Sequence, residues 1–224
     1  MCQGLTGPTH DGQDEWFLDS PALRSFIGAV QRVRAAESDP ARVVALVEPA
    51  FTELLADQTW LPDHFAEPSP ESGMGSGIGM WLLYRAGDGN LALSSLVVPP
   101  GAATPVHDHL AWGLVGLYRG TQDEVVFTRT DDASVEDKAT LETMVQRSLA
   151  PGDLYEILPE TDIHKVRTTS DVTSVSLHLL GNDNGCKMRH RFHPDEGRVE
   201  PFKSGWLNVP CTEPAAAGSS QGMG

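Results

Sequence analysis

The sequence predicts a mainly β fold in which short strands form a closed or two-sheet barrel behind a helical N-terminal part. Three observations favour it. Short apolar segments recur from about residue 80, glycine- and proline-rich turns separate them, and apolar residues follow a helical period only before that point. Such a series of short strands is typical of β barrels and sandwiches. A chain of 224 residues is long enough to bury a sizeable core in one domain.

Two helices are expected in the N-terminal part, residues 1–79. Ser20-Pro21 has the pattern of an N-cap followed by proline at the first helical position. A second helix is expected to start near Asp39-Pro40, with Pro49 kinking or interrupting it. Residues 66–79 are rich in proline, serine and glycine, so they are expected to form the hinge to the barrel.

The barrel is expected to span residues 80–195. Its expected strands are Met80–Arg85, Leu91–Val98, Ala111–Tyr118, Asp123–Thr130, Thr143–Leu149, Leu154–Ile157, His164–Thr168 and Ser174–Leu180. Residues 196–212 are predicted to be irregular and to pack over the barrel through Phe202, Trp206 and Leu207. Residues 213–224 have the composition of a disordered tail.

Charge and cysteine content bear on partners and location. A formal net charge of −15 argues against nucleic acid as a partner, because phosphate binding needs a basic face. The sequence contains neither a bilayer-spanning apolar run nor a signal peptide, so no membrane partner is expected. Cys2, Cys186 and Cys211 are odd in number and lack CxxC spacing, which predicts no disulfide framework and a cytoplasmic location.

Two closely spaced histidines are the strongest functional signal. His107 and His109 are two residues apart, so they share a face if the segment is extended. Gly101, Gly113 and Gly120 flank them in a spacing that resembles the first motif of the cupin superfamily. This resemblance implies a double-stranded β-helix, or jelly-roll barrel, preceded by the N-terminal helices.

A second motif supplies a third histidine. The segment from Pro151-Gly152-Asp153 through Asp162 to Val166 resembles the second cupin motif, with His164 at its metal-binding position. The expected site is therefore three imidazoles without a carboxylate ligand. The isolated histidines His10, His64 and His193 are expected to be ordinary structural or surface side chains.

Three neutral histidines leave the charge of a divalent ion uncompensated, which favours an anionic ligand. A triad of two histidines and one carboxylate with open positions suggests non-haem Fe(II) oxygenase chemistry. With imidazole in place of the carboxylate, a substrate that brings negative charge is favoured, and a thiolate is suitable because a cation deprotonates a coordinated thiol. Zinc remains an alternative on ligand type, since three histidines and water also describe hydrolytic sites.

A more specific resemblance covers about residues 80–195. The segments Thr104–Gly113, Asp162–Arg167, Ser176–Gly181 and Arg189–Phe192 resemble the bacterial thiol dioxygenases of the cysteine dioxygenase and 3-mercaptopropionate dioxygenase group. The resemblance implies a cytoplasmic enzyme that binds Fe(II) through three histidines. It also implies that the enzyme oxidises a small thiol to its sulfinate with O2.

The resemblance assigns further roles. Ser176 and His178 correspond to a catalytic hydrogen-bonded pair beside the metal, and Arg189 to the residue that binds a substrate carboxylate. Trp81 and Trp112 are candidates to line the substrate pocket. A tyrosine of the family is replaced by Leu180, so a substrate-contacting hydroxyl would have to come from Tyr84, Tyr118 or Tyr155.

Two alternatives stay open at this point. The same scaffold with Leu180 instead of tyrosine is compatible with a different oxidation or oxidative rearrangement of a cysteine-derived substrate. A non-enzymatic cupin that binds a small anion is the second alternative. The sequence does not decide the oligomeric state.

Overall fold

The computed structural model describes residues 12–211 of the chain. Cys2, His10 and the tail expected over residues 213–224 lie outside the described residues. Within residues 12–211 no helix is long and apolar enough to cross a membrane.

The N-terminal part contains two helices, α1 (Pro21–Ala36) and α2 (Pro40–Ala56). The side chains of Ser20 and Asp39 accept backbone N–H groups at the two N-termini, as the sequence predicts. Pro49 lies inside α2 but does not interrupt it, contrary to one expectation. The helix continues because the turns after Pro49 bury Phe51 and Leu55, which offsets a proline cost of about 3 kcal/mol.

The described chain contains short strands from residue 15 to residue 202. They are β1 (Glu15–Trp16), β2 (Gly79–Arg85), β3 (Ala92–Val98), β4 (Val106–His107), β5 (Gly113–Arg119), β6 (Gln122–Arg129), β7 (Leu141–Leu149), β8 (Leu154–Ile157), β9 (Ile163–Thr168), β10 (Ser174–Leu180), β11 (Arg189–His193) and β12 (Arg198–Phe202). All eight expected strands are present, two with the expected bounds and six with bounds that differ by one or two residues.

The strands form two six-stranded sheets. The first has the order β1-β2-β3-β10-β5-β8 and the second the order β12-β11-β4-β9-β6-β7, with antiparallel pairing throughout. The central neighbours of each sheet, such as β3-β10 and β4-β9, are far apart in sequence, as in a jelly roll. The mainly β fold predicted from the sequence, with N-terminal helices and strands in a jelly-roll arrangement, is therefore confirmed.

Part of the segment expected to be irregular is a strand. Arg198–Phe202 pairs antiparallel with β11, so the expectation for residues 196–212 is wrong over this stretch. Pro201 made the stretch look irregular, but β12 is the edge of its sheet, where a proline need not donate to a neighbour.

The two faces of the first sheet have different neighbours. Leu177 and Leu179 of β10 pack in one apolar cluster with the residues of α1 and α2, so this face of the sheet is covered by the helices. Ser176 and His178 alternate with them and face the interior between the sheets. The helices therefore cover the outer face of the first sheet. Ser176 and His178 lie on the opposite face, which forms part of the interior of the barrel.

The C-terminal segment closes one side of the interior. Phe202 and Trp206 are buried in an interior cluster, as the sequence predicts, whereas Leu207 is only partly buried. Cys211 forms a disulfide with Cys186, 25 residues earlier, which overturns the expectation that the cysteines are unpaired. An odd cysteine count does not exclude one bridge. The fold brings the two Cα atoms to 5.2 Å by placing the segment after β12 against the loop after β10.

We expect the disulfide to stabilise this arrangement. Closing a loop between residues 25 apart restricts the unfolded chain, so Cys186→Ser should lower the free energy of unfolding by about 3 kcal/mol. Urea denaturation followed by circular dichroism measures this change. Cys2→Ser leaves the bridge intact and is the control. Equal stability of Cys186→Ser and the unsubstituted protein would show that the bridge does not form.

Candidate metal centre

Three histidines converge in the interior of the barrel. His107 lies on β4, His109 just after it, and His164 on β9, where it is the direct cross-strand partner of His107. Their ring centroids are 4.9 to 5.0 Å apart, and one ring nitrogen of each lies within 4.8 Å of one from each of the others. Their exposed fractions are 3%, 1% and 0%. The prediction that they lie together is borne out by this geometry.

Each ring is oriented through its Nδ1 atom. Nδ1 of His107 lies 2.9 Å from the Pro105 carbonyl, that of His109 3.0 Å from Asp162, and that of His164 2.7 Å from Glu124. Carbonyl and carboxylate oxygens only accept, so each Nδ1 carries the proton and each Nε2 presents a lone pair. Nε2 of His164 is buried and has no hydrogen-bond partner among the described residues.

The protonation state of His107 and His109 is also suitable for binding a metal ion. Burial is the largest cause that lowers the pKa of His107 and His109 well below the usual value, so both rings are neutral at pH 7. Neutral imidazoles with converging lone pairs are ligands for zinc, iron, copper or nickel. The three histidines therefore fit a divalent metal ion, and the chain could hold one here.

Glu124 on β6 is a functional residue that the sequence analysis missed. Its carboxylate is fully buried between His164 and Arg147, with Oε2 accepting the Arg147 Nε–H. Burial tends to raise the pKa of Glu124, but the hydrogen bonds from His164 and Arg147 and the charge of Arg147 prevail and lower it. An ionised carboxylate thus lies directly behind one metal-ligating ring. This carboxylate would compensate part of the charge of a bound cation, which three histidines alone would leave uncompensated.

Glu124→Gln is expected to weaken metal binding roughly ten- to a hundredfold, since it keeps an acceptor for His164 but removes the charge that strengthens the ring as a donor. Competition of the apoprotein with a chelator for cobalt(II) measures the change. Glu142→Gln, at an exposed position of β7, is the matched control. An unchanged affinity of Glu124→Gln would contradict the assigned role.

Asp162 orients His109, the second of the three histidines. It accepts the backbone N–H groups of His109 and Leu110 at 2.8 and 2.9 Å in addition to the contact with the His109 ring. Leu110 has a φ of 53°, a strained conformation for this residue that the two hydrogen bonds hold in place. The loop after β4 is therefore tied to the start of β9.

Asp108, between the two metal-binding histidines, faces the other way. It accepts the backbone N–H of His190 at 2.7 Å, and its second oxygen lies 2.6 Å from Nδ1 of the same residue. This pair attaches the His-x-His segment to β11. The role of His190 was not predicted because the contact joins residues 82 apart in sequence.

Ser176 and His178 lie beside the three histidines. The Ser176 hydroxyl lies 2.9 Å from Nε2 of His178, and the His178 ring centroid is 6.5 Å from that of His109. Burial, with a contribution from His164, lowers the pKa of His178 to about 3, so this ring is neutral. Leu180 follows on the same face and is buried.

Arg189 is a buried cation at the same site. It is 1% exposed, and it donates to the Asp108 carbonyl at 2.8 Å and to the Ser204 hydroxyl at 2.9 Å. Its Nε has no partner, and among the described residues no carboxylate oxygen lies within ion-pair distance of its guanidinium. Burial lowers its pKa to about 10, which leaves it charged at pH 7. The charges of Asp108 and Asp162 act on Arg189 from beyond ion-pair distance, so its buried charge is only partly compensated, and a buried charge in this state is costly.

The structure does not bring the two predicted tryptophans to this site. Trp81 packs with the helix-facing cluster, next to Phe65, and donates its indole N–H to the Glu67 carbonyl at 2.9 Å. Trp112 also packs with that cluster and lies over Gly181. Strand alternation explains this outcome for Trp81, since its neighbours on β2 face the interior.

Of the three tyrosines, only Tyr155 lies near the histidines. Its ring centroid is 6.0 Å from that of His164, and its hydroxyl is buried without a hydrogen-bond partner. The hydroxyl groups of Tyr84 and Tyr118 instead contact Asp14 and the carbonyl of Asp57 on the helical side. His64 and His193 have ordinary surroundings, as expected.

Comparisons with known proteins give only distant likenesses. No family model matches the chain. A cysteine peptidase from Thevetia peruviana latex, peruvianin-I, is 20% identical, with a TM-score of 0.41 over 58% of this chain and 75% of that one. An oxalate oxidase is 14% identical, with a TM-score of 0.40 over 57% and 61%. A cupin-2 domain protein from Rhodospirillum rubrum is 16% identical, with a TM-score of 0.36 over 48% and 61%. These values are too low to support a conclusion about chemistry.

Proposed function

We propose that the chain is a non-haem Fe(II) thiol dioxygenase. Its substrate would be a small carboxylate-bearing thiol, of the L-cysteine or 3-mercaptopropionate type, which O2 converts to the sulfinate. The observation that carries the proposal is the buried guanidinium of Arg189, without an ion-pair partner among the described residues, beside three converging buried histidines. Action without nucleic acid or membrane remains a prediction from the sequence. The predicted cytoplasmic location rested on the cysteines and loses that support with the Cys186–Cys211 disulfide.

His107, His109 and His164 would hold the iron. Bound Fe(II) would supply the redox centre at which the thiol and O2 react. The reaction RSH + O2 → RSO2H is balanced in itself, because sulfur loses four electrons and the two oxygen atoms gain them. No external reductant is needed.

Arg189 would bind the substrate carboxylate. Its contacts with Asp108 and Ser204 fix the guanidinium plane and leave the Nε–H group without a partner. A planar fork with a free N–H edge suits a carboxylate, and a charge-assisted hydrogen bond is about twice as strong as a neutral one. The ligand would then compensate the buried charge.

Ser176 and His178 would control protons next to the reacting groups. The Ser176 hydroxyl engages Nε2 of His178 and so fixes the ring. A neutral imidazole in this place can hold a proton at one nitrogen and accept one at the other. The burial of the whole site, with the three histidines at most 3% exposed, excludes bulk water.

Anaerobic loading with Fe(II), followed by oxygen uptake with a panel of small thiols, tests the proposal. We expect thiol-dependent uptake with one O2 consumed per sulfinate formed. One bound iron per chain without any thiol-dependent uptake would contradict the catalytic proposal while leaving the metal site intact.

One observation favours a second candidate, a different oxidation on the same scaffold. Leu180 fills the interior opposite Gly113, where a Cβ would come within 2.6 Å of the leucine side chain, so the position of the family tyrosine carries no hydroxyl. Mass spectrometry separates the candidates, because a sulfinate carries both oxygen atoms on sulfur and a carbon oxidation product does not.

A further inference from the structure

The metal site lacks direct access to solvent, so a ligand needs a route to it. The three histidines are at most 3% exposed. A surface cavity of about 480 Å³ lies at the nearby end of the barrel, between the glycine-rich loop 72–76 and residues 103–105, with Arg191 in its lining. The Pro105 carbonyl in this lining accepts the hydrogen bond from His107. Pro105 therefore lines the cavity and is also hydrogen-bonded to His107, a candidate metal ligand.

Arg191 connects the cavity with the site. It is the cross-strand partner of His107, and its guanidinium lies over the Phe202 ring at 4.3 Å. Arg189 lies over the same ring at 4.6 Å, and His107 is 6.4 Å from it. The Phe202 ring therefore contacts the guanidinium groups of both Arg191 and Arg189 and lies near the His107 ring.

The charge of Arg191 is poorly compensated. Its closest carboxylate oxygen, on Glu200, is 3.8 Å away and is also engaged by His193 at 3.1 Å. Its Nε is buried without a hydrogen-bond partner. Its Nη2 donates to the carbonyl of Gly73, in the glycine-rich loop, at 3.2 Å. Exchanging the exposed contact with Gly73 for a ligand in the cavity would leave the stacking of the guanidinium on Phe202 in place.

We propose that this cavity is the entrance to the metal site and that Arg191 is its anion-binding residue, which passes small carboxylates on to Arg189. A chain with a formal charge of −15 repels anionic ligands at long range, so a local cation at the entrance raises their rate of arrival. The identity of the carboxylate as a thiol substrate rests on the proposed function. The proposal that the cavity is the entrance depends only on the three histidines forming a metal site.

Association rates with cobalt(II)-loaded protein test the proposal without turnover. Stopped-flow absorption would follow the binding of azide, and of 3-mercaptopropionate and uncharged 2-mercaptoethanol without oxygen. In Arg191→Met, the association rates of the two anions should fall on the order of three- to tenfold at low salt, and that of 2-mercaptoethanol should not. The difference should shrink as ionic strength rises. Arg42→Met, which removes an exposed charge on α2, is the matched control.

A second variant tests the route itself. Ala103→Trp places a large side chain in the cavity and should slow all three ligands, charged or not, while the cobalt spectrum stays unchanged. Unchanged rates in Ala103→Trp would overturn the entrance, and equal effects of Arg191→Met and Arg42→Met would overturn the role of Arg191. Azide binding without any thiol binding would refute the proposed function but not the entrance.

Discussion

His164→Ala is expected to abolish stoichiometric metal binding and all thiol-dependent oxygen uptake. The variant removes one of three nitrogen donors and leaves the buried Glu124 carboxylate facing a void. Losing the carboxylate behind a ligand already costs roughly ten- to a hundredfold in metal affinity, so losing the ligand itself should cost more. Metal analysis after dialysis, with oxygen uptake on the same sample, measures both effects.

The variant needs a control for folding. His164→Gln keeps a polar group facing Glu124, and circular dichroism shows whether either variant is folded. His64→Ala removes a histidine next to Phe65 on the helical side and should bind metal normally. If a folded His164→Ala still bound a small anion with full affinity, the non-enzymatic alternative would replace the dioxygenase.

Arg189→Met is expected to raise the KM for carboxylate-bearing thiols about tenfold to a hundredfold. The substitution removes charge-assisted hydrogen bonds worth about 1.5–3 kcal/mol to the substrate. It also leaves the Asp108 carbonyl and the Ser204 hydroxyl without a donor, so some loss of stability is expected as well. Turnover of 2-mercaptoethanol, which has no carboxylate, should change far less.

The ratio of the two kcat/KM values separates binding from stability. Arg85→Met is the matched control, because Arg85 is also buried but is already paired with Glu15 and Asp183. It should lower stability without changing the preference for carboxylate thiols. An equal loss for both thiols in Arg189→Met would indicate a purely structural arginine.

The three converging histidines could be predicted because their signal is local. His107 and His109 share a face through a spacing of two, and His164 lies in a second recognisable motif. The helices were predictable for the same reason, since Ser20 and Asp39 act on N–H groups within three residues.

The residues around the ligands could not be found in this way. Glu124 and His190 act through contacts between residues 40 and 82 apart, which only strand pairing creates. The same holds for the disulfide of Cys186 and Cys211. For Trp81, alternation shows which residues share a face, but not which face is turned inward.

The most direct test of the central claim is X-ray absorption at the iron edge of the anaerobically Fe(II)-loaded protein. We predict one iron per chain with three imidazole nitrogen neighbours, and no stoichiometric iron in His164→Gln. Iron bound only by oxygen neighbours, or a spectrum that His164→Gln leaves unchanged, would contradict the account.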